Sequence, residues 1–267
     1  MLRRRIAGLT AALLLGGCAA QERAALAPLS ARSALAPERA EAIDRMLSQF
    51  EALGMFNGVV TIDLGGEIVF QRAYGFAHYE RRLPFRDDSV FRIASVSKSM
   101  TDAALAALVA RRQVSMSDTV ARFLPSFPNG DRITIEQIVT HRSGIAHTND
   151  LPWGDATQPL TLDEIVARLA ETPLDFEPGA QRSYSNGGYA VLAKILEVIT
   201  GKPYPRLMQE LVFDPLGMRN SGAFVDSRIP LPHGVRGYEP SDNIGGRRAP
   251  RPYLPETRPG GGSLYAS

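Results

Sequence analysis

Ser95-Val96-Ser97-Lys98 sets a hydroxyl and a primary amine three residues apart. On a helix such a pair lies on one face, one group above the other. The amine supplies what an unactivated serine lacks as a nucleophile, a nearby proton acceptor. Tyr184-Ser185-Asn186 offers a phenol and a carboxamide that would complete such a site. Only three of the 30 basic residues are lysines: Lys98, Lys194 and Lys202. Arginine keeps its proton in a protein, whereas a buried lysine can release it. A lysine where the chain otherwise writes arginine therefore hints at acid–base chemistry. Taken alone, Ser-x-x-Lys is ordinarily an N-cap serine beside a solvated lysine. Its weight comes from the segments around it.

Those segments must position the groups. Ser95 opens a predicted helix running to about Arg112, with Met100, Ala103, Ala104, Leu105, Leu108 and Val109 available for burial. The N–H groups at a helix N-terminus favour an oxyanion developing there. Upstream, Pro37 to Gly54 reads as an amphipathic helix, with Ile43, Met46, Leu47, Phe50 and Leu53 at helical spacing. Gly58 to Leu64 and Ile68 to Tyr74 read as two strands joined by Gly65-Gly66, a strong hairpin signal. Thr134-Ile135-Glu136-Gln137 and Thr161-Leu162-Asp163-Glu164 each fit a capping box before an apolar run. Gly188 to Thr200 and Tyr204 to Phe213 supply two more helices. The predicted class is α+β: an antiparallel sheet flanked by helices, plus a mostly helical lobe at about 118–218.

The flanks of these motifs resemble the serine β-lactamase and penicillin-binding-protein superfamily, in its class C β-lactamase, D-alanyl-D-alanine carboxypeptidase and esterase branch. Phe91-Arg92-Ile93-Ala94 leading into Ser95-Val96-Ser97-Lys98 looks like that family's nucleophile segment. Ile138-Val139-Thr140-His141-Arg142-Ser143-Gly144-Ile145 is similar to its His-x-Ser-Gly loop. Phe176-Glu177-Pro178-Gly179 and Tyr184-Ser185-Asn186-Gly187-Gly188-Tyr189 match its second catalytic element. Thr200-Gly201-Lys202, Asp214-Pro215-Leu216-Gly217-Met218 and Gly260 to Ser267 continue the pattern in order, so the resemblance runs from about Phe56 to Ser267.

The resemblance implies acyl transfer through a covalent acyl-serine. Ser95 would be the nucleophile. Lys98 would take its proton or act through Tyr184, and Tyr184 would pass a proton to the leaving group and later activate water. Asn186 would hydrogen-bond the substrate amide, and the Ser95 N–H would form half of an oxyanion hole. The implied substrates are a β-lactam, a D-Ala peptide or an ester, and the family needs no metal or other cofactor. One departure counts against activity. The family's third motif, Lys/His-x-Gly on a strand, has no counterpart, because His233-Gly234 lacks the spacer. The chain therefore reads as a C-terminally truncated member whose later strands are missing. A catalytically inactive relative that binds peptidoglycan or a partner, and a lipid-anchored scaffold, are the rival readings.

Met1-Leu2-Arg3-Arg4-Arg5 followed by the apolar run from Ile6 to Leu15 has the pattern of an export signal, too short to span a bilayer. It ends in Leu15-Gly16-Gly17-Cys18, which resembles a lipobox. Cys18 is the only cysteine, so no intramolecular disulfide forms. Residues 1–17 are expected to be removed, Cys18 to be lipidated, residues 18–37 to act as a tether and 38–267 to form the partial hydrolase domain. Ala19 rather than Asp after the cysteine implies, in lipoprotein sorting, the outer membrane if the cell has one, on the periplasmic side. Removing residues 1–17, which hold three arginines and no acid, takes the formal charge from +2 to −1. Such a balance gives no reason to expect nucleic acid. Arg247, Arg248 and Arg251 read as a solvated loop. His78, His141, His147 and His233 show no zinc-ligand spacing and read as ordinary surface or loop histidines.

Overall fold

A computed structural model of the chain describes residues 32–151, 160–241, 243, 245–249 and 254–267. Residues 1–17, Cys18 and Arg251 lie outside the described residues.

A short strand β1 (Arg32–Ser33) precedes helix α1 (Pro37–Ala52). Pro37 at the first helical position suits a helix start, because its missing N–H would have had no partner there. Strands β2 (Gly58–Leu64) and β3 (Glu67–Tyr74) follow as an antiparallel hairpin. Gly65 and Gly66 both hold positive φ, at 67° and 89°, as the two-residue turn that matches strand twist requires. The Gly66 N–H donates to Asp63 Oδ1 at 3.0 Å and closes the turn. Two sequence expectations need correction here. The hairpin is not two-stranded, because β1 pairs with β3 (Arg32 opposite Gln71, Ser33 opposite Phe70). Residues 32–33 therefore belong to the sheet and not to a tether ending at residue 37.

A second small sheet joins β4 (Phe91–Arg92), β5 (Gly222–Ala223) and β8 (Leu264–Ala266), with β8 in the middle and antiparallel to both neighbours. A third pairs β6 (Glu239–Pro240) with β7 (Arg247–Arg248). The expected solvated Arg247–Arg248 loop is thus a strand. Arg247 is packed: its guanidinium lies 4.1 Å from the centre of the Tyr79 ring and donates to the Glu51 carbonyl at 2.7 Å. The ring face attracts the cation, and the Glu51 carboxylate and the Gly245 carbonyl accept from it as well, at 3.0 and 3.1 Å.

The helical lobe is built from α2 (Ser97–Ala110), α3 (Ile135–Val139), α4 (Leu162–Ala170), α5 (Asn186–Thr200) and α6 (Tyr204–Met208), which continues as a π-helical turn (Gln209–Phe213). Both capping boxes form. Thr134 caps α3 with Gln137 reaching back, and Thr161 caps α4 with Glu164 reaching back. The middle of α5 is buried all round, from Tyr189 to Ala193 and at Ile195 and Leu196, so it is the central helix of the lobe. Leu105 and Leu108 of α2, Ile138 of α3, Ile165 and Leu169 of α4 and Leu207 and Met208 of α6 pack into one core with it. By contrast α1 buries no residue. Its Met46 and Phe50, with Leu53 just past its end, are 50%, 41% and 48% exposed, while Ile43 and Leu47 are half-buried.

Candidate active site

The predicted helix does not begin at Ser95. Ala94–Val96 form a single 3-10 turn, and the α-helix starts at Ser97. Ala94 sits at φ 42°, in the left-handed region that costs a non-glycine residue roughly 1–2 kcal/mol. The turn is held from both sides. Ile93 N–H donates to the Leu264 carbonyl at 3.1 Å and Val96 N–H to the Ile93 carbonyl at 3.0 Å. It lifts Ser95 to the exposed surface, while Ser97 and Lys98 in the next turn are buried.

Ser185 is the N-cap of α5: its hydroxyl accepts from the Gly188 N–H at 2.9 Å and donates to the Ala146 carbonyl at 3.1 Å. Tyr184 just before it is 43% exposed, and its Oη donates to Ser95 Oγ at 2.7 Å. Lys98 lies behind this pair, only 6% exposed. Its Nζ donates to Asn186 Oδ1 at 2.6 Å and to the Gly261 carbonyl at 2.8 Å, and stands 4.6 Å from the centre of the Tyr184 ring. Asn186 Nδ2 faces Asn149 Oδ1 at 3.4 Å. The structure thus brings Ser95, Lys98, Tyr184 and Asn186 into one cluster. Asn186 Oδ1 is engaged by Lys98, which leaves Nδ2 as the group it can offer a substrate.

The loop after Arg258 closes the floor. Gly260 holds φ 72°, and a side chain there would collide with the Tyr189 carbonyl oxygen. A Cβ on Gly261 would stand 3.2 Å from both Lys98 Nζ and Asn186 Oδ1, so only glycine lets this carbonyl reach the ammonium without crowding it. Thr101 Oγ1 lies 2.8 Å from both Tyr204 Oη and the Gly260 carbonyl, and Leu264 N–H donates to Ser97 Oγ at 3.2 Å. These bonds fasten the glycine loop and β8 to the first two turns of α2.

Electrostatics follow from the burial. Loss of water holds the Lys98 ammonium below the ordinary lysine range; Tyr184 and Asp102 oppose the shift and Arg258 adds to it. Burial pushes the Asp102 carboxyl up, against the pull of Tyr189 and Lys98. Tyr189 Oη donates to both Asp102 oxygens, at 3.0 and 3.2 Å. Chemically, the cluster joins an exposed hydroxyl to a phenol, with an amine behind them that gives up its proton more readily than lysine in water. That is the composition of an activated nucleophile.

The Beta-lactamase family profile matches residues 43–267. The chain belongs to the Beta-lactamase family. It is 30% identical to the putative penicillin-binding protein PbpX of Bacillus subtilis over 79% of its own length and 52% of the relative's. It is 34% identical to the esterase EstB of Burkholderia gladioli over 63% and 47%, and 27% identical to a teichoic acid D-alanine hydrolase of Staphylococcus aureus over 84% and 53%. Among solved structures it superposes on FmtA of Staphylococcus aureus with a TM-score of 0.74 at 25% identity, covering 90% of this chain and 64% of that one. It also matches the D-amino acid amidase of Ochrobactrum anthropi, with TM-score 0.74, 25% identity and coverage of 85% and 67%. The chain spans about half the length of the curated relatives it matches. These relatives agree with the α+β fold.

Two residues of this Beta-lactamase family chain do more than the sequence showed. His141 and His147 lie in a loop, as expected, but their imidazoles are bonded to the chain beside the site. His141 is 8% exposed and its Nδ1 accepts the Ser185 N–H at 3.2 Å. His147 is half-buried and its Nδ1 accepts the Asn186 N–H at 3.1 Å. Their rings stand 4.6 and 5.5 Å from that of Tyr184. His141 lies inside the His-x-Ser-Gly segment, which was the available signal; His147 had none. His78 and His233 pair with Glu80 and Asp88 instead.

Proposed function

We propose that this chain carries the acylation machinery of a serine hydrolase acting on an ester or amide of a small acyl group. The observation that carries the reading is the 2.7 Å hydrogen bond between Tyr184 Oη and Ser95 Oγ, with Lys98 buried behind it. Ser95 Oγ bonds to the substrate carbonyl carbon, and its proton passes into the Tyr184–Lys98 pair. The bond from that carbon to the leaving oxygen or nitrogen then breaks, and the leaving group takes the proton from Tyr184. In the second half, water gives its proton to the same pair and bonds to the acyl carbon; the bond from that carbon to Ser95 Oγ then breaks, and Oγ takes its proton back from the pair. Asn186 Nδ2 would donate to a carbonyl oxygen of the substrate's own amide. That the relatives include an esterase, a D-alanine hydrolase and a D-amino acid amidase supports an ester or amide of a D-amino acid ahead of a β-lactam.

The test is covalent labelling by a fluorophosphonate probe and a fluorescent penicillin, using the native gene product. Wild type should be labelled and Ser95→Ala should not, while both retain the same circular dichroism. Because Ser95 is exposed, its oxygen can be removed without opening a cavity. Equal labelling of the two would reject the assignment. Turnover of D-alanyl esters and amides against nitrocefin then ranks the substrate classes.

A further inference from the structure

The segment that carries Tyr184 and Asn186 has no regular structure before Asn186, so something outside it must set its position. The loop from His141 to His147 does so through four hydrogen bonds. Ser183 N–H donates to the His141 carbonyl at 2.9 Å. Ser185 N–H donates to His141 Nδ1, Ser185 Oγ to the Ala146 carbonyl, and Asn186 N–H to His147 Nδ1. The last is unusual in kind. The first N–H groups of a helix have no partner within it and ordinarily take a side-chain oxygen or water. Here the first residue of α5 takes an imidazole nitrogen.

An imidazole can accept at Nδ1 only when its proton sits on Nε2; the imidazolium has no acceptor at all. We propose that His147 is a positioning residue for the Ser95–Tyr184 pair, its neutral Nε2-protonated imidazole holding the Asn186 N–H, with His141 doing the same for Ser185. The inference rests on the reading of Ser95, Tyr184 and Lys98 given above. Asn186 transmits the effect in two directions. Its backbone N–H is fixed by His147, and its Oδ1 receives Lys98 at 2.6 Å. A displaced Asn186 therefore moves both the lysine's partner and the phenol two residues earlier.

The surroundings favour the neutral ring. The N-terminus of α5 presents partial positive charge to His147. Lys98 and Arg258 add full positive charges, with Asp150 and Asp175 opposing them. Around His141 stand Lys98, Arg182 and His147, with the Tyr184 and Tyr189 rings against it. Burial is the leading influence on both imidazoles and lowers their proton affinity. Protonation of His147 would turn an acceptor into a donor facing an N–H, and the bond would be lost.

Two variants and one spectrum test this. His147→Phe keeps a ring of similar size but offers no acceptor. The rate at which the fluorophosphonate probe labels Ser95 should fall by about ten- to a hundredfold, the scale of a misplacement near 1 Å. His147→Asn places an amide oxygen near the Nδ1 position and cannot titrate. It should recover most of the rate at neutral pH and move the acid limb of the pH profile to lower pH. Histidine-selective ¹⁵N NMR of the unmodified protein reads the tautomer whether or not the variants fold, and both rings should be Nε2–H and neutral at pH 6.5. Labelling of His147→Phe at the wild-type rate, or an Nδ1–H tautomer at His147, would overturn the inference. Wild-type protein that no probe labels at all would instead refute the proposed function, and the NMR result alone would then decide whether His147 holds Asn186.

Discussion

Lys98 Nζ and Asn186 Oδ1 stand 2.6 Å apart, although 88 residues separate them in the chain. One belongs to the first turn of α2, the other is the first residue of α5, and the bond ties the two helices at the point where Ser95 and Tyr184 meet. The Gly261 carbonyl completes the lysine's surroundings from a third segment. Among the described residues no carboxylate bonds this ammonium directly, and burial outweighs the more distant pull of Asp102 on its charge. Its proton is therefore available.

Lys98→Arg should be nearly as damaging as Lys98→Ala. Arginine keeps the charge, stays protonated, and brings a planar fork into a space bounded by Gly261 and Asn186. Loss of a general base lowers rates by about 10²–10⁴. The labelling rates of the two variants are the measurement, and an arginine variant retaining most of its rate would reduce Lys98 to an electrostatic neighbour.

Ser185→Ala removes the α5 cap and the tie to Ala146 together. Loss of an N-cap costs about 1 kcal/mol, which for a domain of this size lowers Tm by about 2–4 °C. Because Tyr184 and Asn186 flank Ser185, the labelling rate should drop by more than the Tm shift alone explains. Thermal melts and labelling on the same samples separate the two effects.

Stability should fall as pH drops below about 6.5, the ordinary histidine value, before the carboxylates begin to titrate. Burial, the first cause, depresses the His141 and His147 proton affinities in the folded state. In the unfolded chain both rings take up protons as pH falls through 6.5, while the folded protein resists. The stability they contribute is thus complete above 6.5 and is lost as pH falls toward their folded values, with a slope of up to one proton per ring. Urea unfolding between pH 7.5 and 5 measures it. Replacing both rings by asparagine should flatten the dependence, and an unchanged slope would place its origin elsewhere.

Cys18 is proposed as the attachment point of a lipid anchor. Labelled fatty acid should be incorporated into the native protein and not into Cys18→Ala, and the variant should leave the membrane fraction. Each buried methylene of an acyl chain contributes about 0.8 kcal/mol, so losing the anchor should shift partitioning almost fully. Incorporation into the alanine variant would exclude this site.

Much of the architecture was legible because it is local. The Gly65-Gly66 turn, the Thr134 and Thr161 capping boxes and the apolar run of α5 each depend on neighbours within a few residues, and each forms at its predicted position. Errors fell where a distant segment decides the outcome. Arg32–Ser33 became a strand because β3 offers an edge, and Arg247 left solvent because Glu51 and Tyr79 receive it.

By itself the sequence determined the chemistry available to the site: a serine and a lysine three residues apart, and a tyrosine and an asparagine bracketing a helix cap. Residue type and spacing along one helix are enough for that, since an α-helix converts separation into direction. Only the tertiary structure decided that Lys98 would be buried with Asn186 and Gly261 as partners, and that two imidazoles would hold the loop carrying Tyr184. Those outcomes depend on which way a backbone carbonyl or N–H points after four segments have packed together. No residue type carries that information, because every residue except proline has both groups.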